Sequence, residues 1–167
     1  RGTVVVWALL AGGTAILAAG FAAGRPGLLP LGGGLVVLGV WLTTGRFLRE
    51  GLPGPRSFTA AALGYLVITT TMGLLLAARL AWGWPALPQG ELAPHVLAGT
   101  AGWFGVLIVG VSYELIPMLG ALPAGAARRR RRVLVALNGG LIGAVVAWAV
   151  SWDGGGRVAA TLVAVAI

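Results

Sequence analysis

The chain has 167 residues, 58% of them apolar and 10% charged, with a mean hydropathy of +0.95. So little charge cannot cover the surface of a water-soluble domain, and the long apolar runs are each of a length that crosses a bilayer. The net charge of +8 comes from arginines in short segments beside those runs. There they set membrane orientation, which makes the lipid bilayer the expected partner and excludes nucleic acid. The chain has no cysteine, so disulfides, thiolate metal sites and iron–sulfur clusters are excluded within these residues.

In chain order the apolar runs predict spans at about 3–24, 28–47, 58–84, 94–119 and 133–152, and the start of another at 158–167. Gly24-Arg25-Pro26-Gly27 makes the first turn, and Asp153-Gly154-Gly155-Gly156 precedes the last fragment. The expected architecture is an all-α, polytopic transmembrane helical bundle of five full spans plus the start of a sixth, forming one domain over residues 1–167. The start at Arg1 and the end ten residues into the run from Val158 read as limits of a fragment. The first segment lacks the short core and cleavage site of a signal peptide.

Arginine counts give an orientation. Placing the loop from Arg128 to Arg132 on the cytoplasmic side puts Arg1, Arg46, Arg49 and Arg56 there too, nine arginines inside against Arg25, Arg79 and Arg157 outside. This is the positive-inside asymmetry of a helical membrane protein with that loop on the cytoplasmic side. Trp7 and Trp41 then fall near the inner interface, and Trp82, Trp84, Trp148 and Trp152 near the outer one. Trp103 lies well inside the fourth span.

Within the third span, Thr69, Thr70 and Thr71 lie near mid-membrane beside Met72. Threonines in such helices bond back to the backbone, and the thioether packs or ligates haem. Arg79 lies near the outer end of that span, at the depth expected for the head of the fourth. Its planar fork suits carboxylates such as haem propionates, or it snorkels to Glu91 or lipid phosphate.

The fourth span opens with Pro94 and His95, the only histidine of the chain. Proline suits a first helical turn, and an ionisable group on a membrane helix is a functional candidate. The imidazole is an axial ligand for haem or a ligand for copper, or an interfacial group bonded to water or Glu91. At 100° per residue, Gly102, Val106 and Tyr113 fall within about 20° of His95, and Gly99, Val109 and Pro117 within about 40°. Glycines on that stripe admit a close approach by a flat macrocycle or by another helix. Glu114 is nineteen residues beyond His95, roughly 28 Å along a helix, so the two form no acid–base pair.

His95, Gly102-Trp103-Phe104-Gly105, Gly110-Val111, Tyr113, Leu115 and Pro117-Met118 stand in register with a motif. The segment resembles a signature of bacterial haem-copper-oxidase subunit I-like membrane proteins, which are related to nitric oxide reductases and C-type cytochrome c oxidases. The resemblance covers about twenty-five residues, and elsewhere only hydropathy and span spacing agree. It implies a role in respiratory or nitrogen-oxide electron transfer, with haem b and/or copper as cofactor and His95 as the metal ligand. Arg79, Gly99, Gly102 and Tyr113 are the further cofactor-binding candidates, and no residue is assigned a catalytic step. The motif's second histidine falls on Leu97 here. A second ligand comes from further parts of the same chain, from other membrane subunits, or from nowhere. The competing expectation is a non-catalytic membrane scaffold or transporter-like subunit with an incidental histidine.

Overall fold

A computed structural model describes residues 2–51, 56–84, 92–120 and 127–149, and among them every element is helical and none is a strand. The helices are α1 (Gly2–Ala22), α2 (Leu28–Glu50), α3 (Arg56–Trp82), α4 (Leu92–Leu119) and α5 (Ala127–Ala149). The calls on Arg1, Glu91, Trp152, Arg157, the turn at 153–156 and the segment from Val158 lie outside the described residues.

Four helices, α1 to α4, are long and apolar enough to cross a membrane. Five full spans were expected, and α5 is the one that falls short. It begins Ala-Arg-Arg-Arg-Arg-Arg, so the described helix keeps only about 17 residues, or ~25 Å, beyond the arginines, against a hydrocarbon core of ~30 Å. Those arginines form the first turns of α5 and not a loop, because arginine is a good helix former. The outward-facing side chains suit lipid: Val4, Trp7, Leu80 and Leu119 are 72%, 68%, 62% and 79% exposed. In water such surface would be strongly unfavourable.

The chain divides into two compact units, residues 1–51 with 66–95 and residues 52–65 with 96–167. In the first, α1 and α2 form an antiparallel hairpin. Gly24, at φ 61°, closes α1: Arg25 N–H donates to the Gly20 carbonyl at 2.9 Å and Gly24 N–H to that of Phe21 at 3.2 Å. This pair of bonds satisfies terminal carbonyls and needs a left-handed residue, which glycine supplies without strain. The two backbones then touch through glycine. A Cβ on Gly13 would sit 2.7 Å from the Gly32 carbonyl oxygen, and one on Gly32 2.8 Å from that of Gly13. Gly33 takes Leu74 of α3 in the same way, at 3.3 Å from its Cδ1. Helices in lipid associate by such close packing because apolar side chains gain little by leaving the acyl chains.

The second unit has its own core. Phe58, Ala62 and Tyr65 of α3 meet Ala98 and Val106 of α4 and Leu137 and Leu141 of α5. Gly110 and Gly102 of α4 form the notches: a Cβ on either would lie 2.5 Å from Phe58 Cβ or Tyr65 Cγ, respectively. Within α4, residues Ala98–Gly105 form a π-helix. The buried positions of the whole helix are Pro94, Ala98, Gly102, Val106 and Gly110, a spacing of four throughout. That period lies between α- and π-helical geometry, so the wider turn keeps these buried positions in one row along the helix.

Candidate functional site

His95 belongs to the first unit, together with the part of α3 that runs from Leu66. Its ring packs on Gly73, where a Cβ would lie 3.0 Å from the imidazole Cε1. Its Nδ1 is 2.9 Å from the backbone carbonyl oxygen of Thr69 and 3.3 Å from the Thr69 hydroxyl. The hydroxyl in turn donates to the His95 carbonyl oxygen at 2.9 Å. His95 precedes the π segment by three residues, where backbone bonding changes from i→i+4 to i→i+5. The Thr69 hydroxyl thus serves a carbonyl beside that change of register.

The tautomer follows from the acceptor. A carbonyl oxygen only accepts, so the short contact requires a proton on Nδ1. In the neutral ring the lone pair then sits on Nε2. This is the arrangement in which metal-ligating histidines are held, with one nitrogen donating to a backbone carbonyl and the other directed at the ligand position.

The three threonines divide. Thr70 and Thr71 donate to the carbonyls of Leu66 and Val67 at 2.8 Å, as expected of threonines in an apolar helix. Thr69 is 7% exposed and reaches across to His95 instead. Sequence reasoning missed the Thr69–Gly73–His95 group. The available signal was the row Phe58, Ala62, Tyr65 and Thr69 at spacings of four, three and four, which marks one face of α3. Met72 is half-buried on the same helix.

Several expected neighbours of His95 are not brought to it. Thr69 is the midpoint of α3, so the imidazole meets that helix halfway along and not at its outer end. Arg79 lies ten residues beyond Thr69 and six beyond Gly73, roughly 15 and 9 Å along the axis. The equal depth expected for Arg79 and His95 is therefore corrected, because α4 begins against the middle of α3. Arg79 itself is half-buried in the last turn of α3.

Tyr113 packs on Phe58, with ring centroids 5.8 Å apart. The uniform 100° per residue that set it beneath His95 does not hold across the π segment. Each π residue turns roughly 20° less, about 150° over eight residues. Gly102 is buried against Tyr65, so its notch is filled by a protein side chain. Gly99 is half-buried in the π segment, Trp103 is half-buried and stacks edge-on against Phe104, and Glu114 is exposed.

Among the described residues no group of three or more histidine, cysteine or acidic side chains gathers to hold a metal. The donor set is one imidazole. It fits a single axial position on haem, whereas a copper centre needs further donors from outside the described residues. No known family, characterised protein or solved structure matches this chain.

Proposed function

We propose that the protein is an integral membrane subunit of the haem-copper-oxidase-like kind, acting in respiratory or nitrogen-oxide electron transfer, in which His95 supplies one ligand to haem through Nε2. The observation that supports this reading is the bond from Nδ1 to the Thr69 carbonyl, which leaves Nε2 as the basic nitrogen of an intramembrane imidazole. Bound haem would supply one-electron chemistry. The chain's own part is to hold the imidazole orientation through Thr69 and to let the Cε1 edge of the ring approach Gly73. Arg79 is the cation proposed to meet haem carboxylates. The second axial ligand, and the further donors a copper ion would need, come from other parts of the chain or from partner subunits. The membrane is the bacterial inner membrane, with the arginines that open α5 on the cytoplasmic side, as positive-inside asymmetry requires.

The test is an absorption spectrum and metal analysis of the purified full-length protein prepared with haem and copper available. The proposal expects a Soret band that His95→Ala abolishes while the protein still inserts. Absence of both a Soret band and copper from the wild type overturns it.

A second reading, a non-catalytic scaffold, is favoured by one specific observation. The glycine notches at 102 and 110 are filled by Tyr65 and Phe58, and the His95–Thr69 bonds by themselves clamp two helix segments. Under that reading the wild type is colourless, and His95→Ala lowers stability alone.

A further inference from the structure

The C-terminal end of α2 carries a charged hollow that the histidine site does not use. It encloses about 220 Å³ and is lined by Trp41, Leu42, Gly45, Arg46, Arg49 and Glu50. These residues form two adjacent rows at spacings of four on one side of the helix. A Cβ on Gly45 would meet nothing within 4 Å, so the missing side chain leaves the floor open between Trp41 and Arg49.

Arg46 is fixed at two points. Its Nε–H donates to Glu50 Oε1 at 2.8 Å, and its Nη1–H donates to the Thr3 hydroxyl at 3.1 Å across the α1–α2 hairpin. A guanidinium has five N–H groups, so three remain for a further acceptor. Arg49 adds a second, exposed guanidinium one turn away, and Glu50, paired with Arg46, is the one carboxylate of the lining. Two cations against one carboxylate leave a single positive charge in the hollow. Next to it, Leu38, Trp41 and Leu42 form an apolar track, 49%, 56% and 46% exposed.

We infer that this hollow binds the headgroup phosphate of a phospholipid carrying one net negative charge. Arg49 and the remaining N–H groups of Arg46 hold the phosphate, and the acyl chain lies along Leu38, Trp41 and Leu42. The charge balance selects the lipid class: a monoanionic headgroup neutralises the hollow, whereas a zwitterionic one leaves its charge uncompensated. The inference rests on α2 crossing a bilayer and is independent of the redox reading.

Full-length protein in detergent is titrated with phosphatidylglycerol and with phosphatidylcholine of the same acyl chains, and bound lipid is read by native mass spectrometry. Phosphatidylglycerol binds more tightly, and Arg49→Gln weakens it about tenfold, the loss of a charge-assisted hydrogen bond, with phosphatidylcholine unchanged. Arg49 is exposed, so the variant keeps its helix content by circular dichroism. Arg128→Gln, at the start of α5, retains the wild-type preference. Equal affinity for the two lipids, or equal phosphatidylglycerol binding by wild type and Arg49→Gln, overturns the inference. Displacement of the lipid by millimolar inorganic phosphate overturns the assignment to a lipid in favour of a free-phosphate site.

Discussion

The Nδ1 of His95 lies 2.9 Å from the carbonyl oxygen of Thr69, and the Thr69 hydroxyl lies 2.9 Å from the carbonyl oxygen of His95. The two residues therefore exchange bonds, one from ring to backbone and one from side chain to backbone. The first sets the histidine tautomer. The second adds a donor to the His95 carbonyl, three residues before the π-helical stretch. Because the shorter ring contact uses the backbone of residue 69, the two bonds can be separated by mutation.

Thr69→Val removes the hydroxyl and keeps the shape. A carbonyl that loses its donor in an apolar setting costs about 1 kcal/mol, so thermal or denaturant unfolding in detergent should show a loss of that size. Thr69→Ser restores most of it. On the redox reading the Soret band survives in Thr69→Val, since the Nδ1 bond to the backbone remains. Loss of the band together with a native unfolding profile would show that the hydroxyl, and not the carbonyl, fixes the ring.

Gly102→Ala places a methyl 2.5 Å from Tyr65 Cγ, inside the packed core of the second unit. Neither the ring nor the backbone can yield cheaply, and overpacking of this kind costs about 1–3 kcal/mol. Gly139→Ala in α5 meets open space and is exposed, so it should be neutral or gain up to about 0.5 kcal/mol from helix propensity. Parallel unfolding curves compare the two. Equal tolerance would mean that α3 and α4 do not pack at residue 102.

Apolar length made the first four helices legible, because a run of that length has few alternatives to a membrane helix. The glycine row of α4 was legible in part, with Gly102 facing protein as small residues in lipid do. The offset of His95 against the midpoint of α3 was not legible, since packing between helices sets it and hydropathy carries no register. The π segment was hidden for a related reason. A uniform 100° wheel carries Tyr113 under His95, and only the strict four-residue spacing of Pro94, Ala98, Gly102, Val106 and Gly110 hinted at a slower turn. The arginines at 128–132 read as a loop on charge alone, although nothing in their helix propensity stops a helix there.

Tyr65→Phe tests a buried polar group in the core of the second unit. The Tyr65 hydroxyl is buried and has no hydrogen-bond partner in the structure, although its ring is well packed. An unsatisfied buried hydroxyl costs free energy, so its removal with the ring retained should be neutral or raise stability by about 1 kcal/mol. A clear loss of stability in the same unfolding assay would mean that the hydroxyl has a partner in the assembled membrane protein.

The topology can be read directly, because the chain carries no cysteine to confuse labelling. Arg129 and Arg25 are both exposed, one in the first turns of α5 and the other in the α1–α2 turn. Arginine in short segments resists translocation, so Arg129→Cys should stay inside and Arg25→Cys should be reached from outside. In intact cells a membrane-impermeant maleimide should label Arg25→Cys and leave Arg129→Cys unlabelled until permeabilisation. Removing one arginine still leaves four in the run, so the orientation signal survives the substitution. Labelling of Arg129→Cys in intact cells would reverse the topology. It would also put the hollow at Arg46 and Arg49 on the outer leaflet, since the same alternation of spans assigns both ends.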